Sequence, residues 1–359
     1  MQLALSLAAK ARGRTSPNPL VGAVLVKQGR IIGKGYHHAL GGSHAEVEAI
    51  KQAGQSARGS TLYVSLEPCD HTGRTPPCCD MILRADVARV VAAVKDPNPI
   101  TNGRGLARLR KAGVKVTVGV LEDQARRLNA PFFKTMRQGL PYVTAKLAQS
   151  LDGKIATVTG QSRWISGQAS RKKVHALRGE TDAVLVGINT ILADDPLLSA
   201  REGSRRRGYP VKVIADSRLR TPPSARCLSW QSPAPTLIAA TLHSPQREKK
   251  LIQRGASILH LPARRGRVSL RALFRMLVSR GIHSVLLEGG GELFAAALKE
   301  RLVDRLTLFT APIIIGGNKA ASSCGGGGIK QLSGAFRLDK MTVRRIGNDL
   351  CIEGDIAYP

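Results

Sequence analysis

The feature that most constrains this chain is a rhythm of short apolar runs and helix-length stretches that halts near Gly139-Leu140-Pro141 and then restarts. Before the break, runs at 20–26, 61–65, 87–94 and 114–118 read as buried strands. A first amphipathic helix is expected over 1–10, another beginning near His44, and a third over 123–136 leading into the break. Beyond it, runs at 142–147, 183–186, 211–215, 236–240 and 284–287 read as further strands. Strands that alternate with helices build layered α/β domains. One core seldom serves more than about 250–300 residues, so the 359-residue chain is expected to form two domains, 1–140 and 141–359. No repeat relates the halves, and Cys324-Gly325-Gly326-Gly327-Gly328 reads as a mobile loop.

Three residues in the first half carry metal chemistry. His44-Ala45-Glu46, Pro68-Cys69 and Cys78 supply one imidazole, two thiols and a carboxylate that the metal does not need. That donor set suits zinc, and three protein ligands leave the fourth tetrahedral position to water, as catalytic sites require. Bound water ionises near neutral pH. Glu46, two residues after a ligand at a helix start, is placed to carry a proton from that water to a departing amine, as in the H-x-E and P-C zinc deaminases. The helix N-terminus favours ionised thiolates. The spacing is unusual: nucleic-acid and nucleoside deaminases show P-C-x-x-C, whereas Cys69 and Cys78 stand nine positions apart.

Charge and composition narrow the partners. The formal net charge of +30 favours anionic ligands and keeps nucleic acid under consideration. The basic runs are short, however, and Arg205-Arg206-Arg207 and Arg171-Lys172-Lys173 are not interleaved with aromatics as a single-strand groove would be. No window approaches the about 20 apolar residues that span a bilayer, and the start lacks the marks of a signal peptide. Six Cys, three of them crowded at Cys69, Cys78 and Cys79, point to metal binding in a reducing compartment, the cytoplasm. Cys79, Cys227, Cys324 and Cys351 match no ligand pattern.

These motifs resemble one family closely, the bifunctional riboflavin-biosynthesis deaminase/reductases of the RibD/RibG type. The stretches 15–23, 44–46, 67–78 and 96–99 are similar to that family's deaminase motifs, wide Cys spacing included. The resemblance implies a cytidine-deaminase-like α/β/α layered domain, with Asn18 holding the substrate base. It implies zinc-dependent hydrolytic deamination of 2,5-diamino-6-ribosylamino-4(3H)-pyrimidinone 5′-phosphate to 5-amino-6-(5-phosphoribosylamino)uracil. The second half resembles the same family's reductase through the motifs at 146–154, 164–167, 175–178, 182–187, 194–198 and 287–291. This implies a dihydrofolate-reductase-like α/β domain that uses NADPH to reduce the ribosyl group to ribityl. By the same resemblance, Ala148, Trp164, Thr190, Asp194, Gly290, Gly291, Glu292, Leu293, Phe294, Ala295 and Ala296 are cofactor contacts. Lys146, Ser162, Arg178, Leu198, Arg201 and Glu288 are substrate contacts.

Physical reasoning supports part of that assignment. Glu288-Gly289-Gly290-Gly291 follows an apolar strand and precedes a helix, so its amides either cradle a phosphate or simply make a strand-to-helix turn. Arg178 and Arg201 suit a ribose phosphate, the alternative being a solvated face. Trp164 either stacks on a cofactor or packs in the core. No G-x-G-x-x-G follows the first strand of this half, which argues against a Rossmann domain. The reduction needs donor and acceptor carbons about 3–3.5 Å apart with water excluded; Asp194 and Glu288 are the carboxylates considered as its acid.

The competing reading is a tRNA or single-stranded nucleic-acid deaminase, which the basic charge favours and the Cys spacing and second half oppose. A non-enzymatic relic of the fold is opposed by the presence of Glu46 and all three ligands. The expected partners are thus a phosphorylated pyrimidine and a second copy of the chain in a homo-oligomer, with no specific nucleic acid and no membrane.

Overall fold

The first apolar run becomes a strand of a five-stranded sheet whose neighbours are fetched from across the first 118 residues. The computed structural model describes residues 1–72, 76–200, 209–229 and 234–359, and it divides into two units, Met1–Gly139 and Leu140–Pro359.

Unit 1 runs α1 (Gln2–Ala9), β1 (Gly22–Lys27), β2 (Arg30–Tyr36), α2 (Ala45–Ala53), β3 (Thr61–Val64), α3 (Cys78–Arg84), β4 (Arg89–Ala92), α4 (Arg104–Lys111), β5 (Lys115–Val118), α5 (Glu122–Leu128) and α6 (Ala130–Gln138). The sheet order is β2-β1-β3-β4-β5. β1 runs antiparallel to β2 and β3, while β3, β4 and β5 are mutually parallel and joined through α3 and α4, as parallel pairing requires. Leu25, Leu62, Ile82, Leu106 and Leu109 fill the core.

β2 escapes the apolar-run reading because it carries two glycines and exposes Ile31. Those glycines are a packing device. A Cβ on Gly33 would lie 2.2 Å from the Ala49 carbonyl oxygen, and one on Gly35 would lie 2.5 Å from that of Ala45. The backbone of α2 therefore rests directly on β2.

The single helix expected over 123–136 is two helices, α5 and α6. The interruption falls at Asn129, just before Pro131, which has no N–H to continue α5 and opens α6; the Asn129 carboxamide clamps Leu20, Oδ1 accepting the Leu20 N–H at 2.7 Å and Nδ2 donating to the Leu20 carbonyl at 2.9 Å. Asn129→Ala should lower unfolding stability by about 1–3 kcal/mol, since it strands both backbone groups of Leu20. Urea denaturation of the full chain measures this, and an unchanged midpoint would show that water replaces the clamp.

Unit 2 runs β6 (Tyr142–Gln149), α7 (Gln168–Glu180), β7 (Ala183–Gly187), α8 (Ile188–Asp194), β8 (Val211–Ala215), β9 (Thr236–Ala240), α9 (Pro245–Ile252), β10 (Ala256–His260), a small hairpin of β11 (Ala263–Arg264) and β12 (Arg267–Val268), α10 (Leu270–Ser279), β13 (Ser284–Glu288), α11 (Gly291–Lys299), β14 (Arg305–Thr310), β15 (Arg337–Ile346) and β16 (Asp349–Ala357). Its nine-stranded sheet has the order β10-β9-β8-β7-β13-β6-β14-β16-β15, parallel as far as β14 and antiparallel after it. Leu185, Val213 and Leu287 face one core, while Val184, Val186, Ile214 and Leu286 face a second on the opposite side. Strands buried on both faces read as continuous apolar runs, which is why the central strands were legible. β14 to β16 lack such runs, and β15 is exposed along most of its length.

The glycine-rich loop expected to be mobile is hydrogen-bonded to the start of α11: the Gly325 N–H donates to the Gly291 carbonyl at 3.1 Å and the Gly326 N–H to Glu292 Oε1 at 3.1 Å. Among the described residues, no helix is long and apolar enough to cross a membrane.

Candidate functional site

In unit 1, three separate element boundaries converge. His44 is the residue at which α2 begins, Cys69 follows β3, and Cys78 opens α3. His44 Nδ1 lies 3.0 Å from Cys78 Sγ and 3.5 Å from Cys69 Sγ, and the three donor atoms fall within 4.8 Å of one another. The Cys78 backbone N–H donates to Cys69 Sγ at 3.3 Å.

Protonation is unequal across this group. The hydrogen bond from the Cys78 thiol, opposed by burial and aided by His44, brings the Cys69 thiol well below its ordinary range. The same bond, with burial, pushes Cys78 up, and Cys69 raises His44. Two thiols and an imidazole thus crowd around one point. That donor set fits zinc with three protein ligands.

Glu46 stands in the first turn of α2 and is 3% exposed. Burial first, and then the Cys69 charge, push its carboxyl up to about 7.

Around these residues lies a second group that sequence reasoning named only in part. Asn18 Nδ2 is 3.2 Å from His37 Nε2, and His37 Nδ1 is 3.0 Å from the Ser43 carbonyl oxygen. With Nδ1–H donating to Ser43, Nε2 accepts from Asn18, which settles which end of the Asn18 amide is the donor. Burial lowers His37 and keeps it neutral. A lone His at a strand end carries no signal in sequence. Glu67 is equally hidden: its buried carboxylate accepts the backbone N–H groups of Asp96 at 3.1 Å, Gly103 at 2.9 Å and Leu106 at 3.4 Å. It thereby pins the 96–106 segment beside Cys69. α4 seals the arrangement, since a Cβ on Gly105 would lie 2.1 Å from the Pro68 carbonyl oxygen.

In unit 2, β6 and β13 place Lys146 opposite Glu288 in parallel register. Arg178, on α7, grips Glu288 with two bonds, Nε to Oε1 at 2.6 Å and Nη2 to Oε2 at 2.8 Å, and donates a third to the Ser199 carbonyl at 3.2 Å. Burial alone would raise Glu288, but Arg178 beside it holds the carboxyl below its ordinary range. Burial lowers Lys146 against the opposing pull of Glu288. Ser162 Oγ donates to Asp194 Oδ1 at 2.6 Å at the end of α8, which also carries Thr190. Ala148 lies two residues beyond Lys146 on β6.

Several expectations change in detail. Arg178, expected to meet a substrate phosphate, pairs with Glu288 in this structure. Trp164 is 68% exposed, so it is not a core residue, and the Arg171 guanidinium lies 4.5 Å from its ring centroid. Leu198 and Phe294 are core side chains, so a ligand contact there comes from the main chain. Gly290 precedes α11, whose first turns hold Gly291, Glu292, Leu293, Ala295 and Ala296. Arg201 lies outside the described residues.

Residues 141–352 match the RibD C-terminal domain, and residues 1–94 match the cytidine and deoxycytidylate deaminase zinc-binding region. The riboflavin biosynthesis protein RibD of Aquifex aeolicus is 46% identical over 352 residues, covering 98% of this chain and 96% of its own. The structure of Acinetobacter baumannii RibD superposes with a TM-score of 0.90 at 36% identity, covering 99% of this chain and 98% of that one. A Thermotoga maritima diaminohydroxyphosphoribosylaminopyrimidine deaminase/5-amino-6-(5-phosphoribosylamino)uracil reductase gives a TM-score of 0.86 at 34% identity, covering 100% and 97%. Similarity that runs through both units, over a joined zinc-binding region and reductase domain, bears out the resemblance read from the motifs: this chain belongs to the RibD family of riboflavin-biosynthesis proteins.

Proposed function

We propose that this chain is a bifunctional enzyme of riboflavin biosynthesis, in which residues 1–140 deaminate a diaminopyrimidine ribosylamino 5′-phosphate and residues 141–359 reduce the ribosyl group of the product to ribityl. The observation that carries the reading is the convergence of His44, Cys69 and Cys78 with buried Glu46 in a chain that also carries the reductase unit.

His44, Cys69 and Cys78 hold zinc, which when bound supplies Lewis acidity toward a water. Glu46 accepts the proton of that water and delivers it to the departing amine. Asn18, its amide set by His37, positions the pyrimidine. In unit 2, bound NADPH supplies the hydride. The main chain around Gly290 and the start of α11, with Ala148, Trp164, Thr190 and Asp194, holds the cofactor. Lys146, Ser162 and Glu288, with Arg178 braced behind Glu288, face the sugar phosphate. Relatives that span nearly the whole chain favour a small pyrimidine substrate over nucleic acid. The long exposed edge of β15, with Met341 and Val343 outward, supports a homo-oligomer. Free cysteines throughout the described residues fit a cytoplasmic setting.

Mass spectrometry of the purified protein with the diamino substrate tests both halves together. Hydrolytic exchange of the amine for oxygen should occur without NADPH, and gain of two hydrogens only with it. Elemental analysis after dialysis against a mild chelator should find about one zinc per chain, and Cys69→Ser should lose it. Full deaminase activity in metal-free protein would end the proposed mechanism.

A further inference from the structure

His243, Glu248 and His260 meet at the edge of the nine-stranded sheet, away from Lys146 and Glu288. His260 ends β10, the edge strand; His243 follows the end of β9; Glu248 sits on α9, the crossover helix between them. Ala240 pairs with His260 in parallel register, so the crossover returns the chain to the level it left. The His243 and His260 rings stack with centroids 3.7 Å apart and planes 13° from parallel, so their in-plane nitrogen lone pairs run side by side, and one of these exposed rings must turn for both to meet a shared ion. Glu248 Oε2 lies 3.3 Å from His260 Nε2, and one donor atom from each residue falls within 4.8 Å of the others. The carboxylate is held in place, because its Oε1 accepts the Ser244 backbone N–H at 2.8 Å. β10 stands four places from β13 in the sheet, roughly 19 Å at about 4.8 Å per strand, which separates this cluster from Lys146 and Glu288.

We propose that His243, Glu248 and His260 form a second metal site that takes a first-row divalent transition ion. Two imidazoles and one carboxylate are the donors such ions prefer, whereas Mg²⁺ and Ca²⁺ seek oxygen. Three protein donors on a solvent-facing edge leave the remaining positions to water. Bound there, the ion cross-links the end of β9, α9 and the end of β10, making it a clip on an unpaired sheet edge.

The test uses the full-length protein with its cysteine-held zinc in place, titrated calorimetrically with Ni²⁺. One saturable Ni²⁺ per chain is expected, together with a rise in melting temperature. Loss of a residue outside the ligand shell already costs about 10–100-fold in metal affinity, so His260→Ala and His243→Ala should each weaken binding at least about tenfold and abolish the thermal shift. Glu248→Gln, which keeps the oxygen that caps α9, should weaken Ni²⁺ binding without lowering the metal-free melting temperature. Absence of saturable binding overturns the proposal. So does binding that these three variants leave intact but Cys69→Ser removes, because the ion would then belong to the deaminase site.

Discussion

Glu46→Gln is expected to leave zinc content and fold unchanged while lowering deamination by about 10²–10⁴-fold, the range contributed by a positioned general acid–base group. The amide matches the carboxylate in size and keeps the first turn of α2 intact, but it neither accepts the proton of a water nor passes one to an amine. The effect should be large because the native group is suited to both tasks: burial and the Cys69 charge bring it to about 7. NADPH-dependent reduction of the already deaminated compound, assayed on the same preparation, should proceed at the wild-type rate. Deamination within a few-fold of wild type would remove Glu46 from the mechanism.

Arg178→Ala should be the most damaging single change in unit 2. The native pair is bidentate and nearly buried, with side-chain exposures of 14% and 11%. Removing one partner of a buried pair leaves the other charge uncompensated, at a cost of about 3–5 kcal/mol. Reduction should fall with it, since Glu288 loses both the bonds that orient it and the charge that keeps it ionised. A purely structural role is distinguished by a second variant. Arg178→Met combined with Glu288→Leu removes both charges and should recover much of the stability, as read by urea denaturation, yet recover no reduction. If the double variant reduces substrate, the pair is only a brace and the sugar phosphate is held elsewhere.

The metal site was legible because its chemistry is concentrated in three short motifs whose residue types have few other uses together. The central strands of unit 2 were legible because burial on both faces leaves continuous runs such as 183–187 and 236–240. What sequence reasoning missed has a common physical cause. β2, Glu67 and His37 are specified by partners outside their own local pattern: α2, the backbone of 96–106, and Asn18 with Ser43; the break at Asn129 has a local signal in Pro131. A carboxylate that binds three main-chain amides has the same local sequence as one in water. The Arg178–Glu288 pair spans 110 positions, and each residue alone read as a ligand contact.

The seating of α2 on Gly33 and Gly35 has a consequence for how variants of this enzyme would separate. His44 and Glu46 ride on the same first turn of that helix, so a side chain added at position 35 would lift both at once. A misplacement of about 1 Å can cost about 10²-fold in rate, and the same lift draws the imidazole away from both thiols. Changes in β2 should therefore weaken metal retention and turnover in proportion. Changes in the 96–106 segment, which is pinned by Glu67 and carries neither the imidazole nor the proton carrier, should alter substrate handling with the metal still in place.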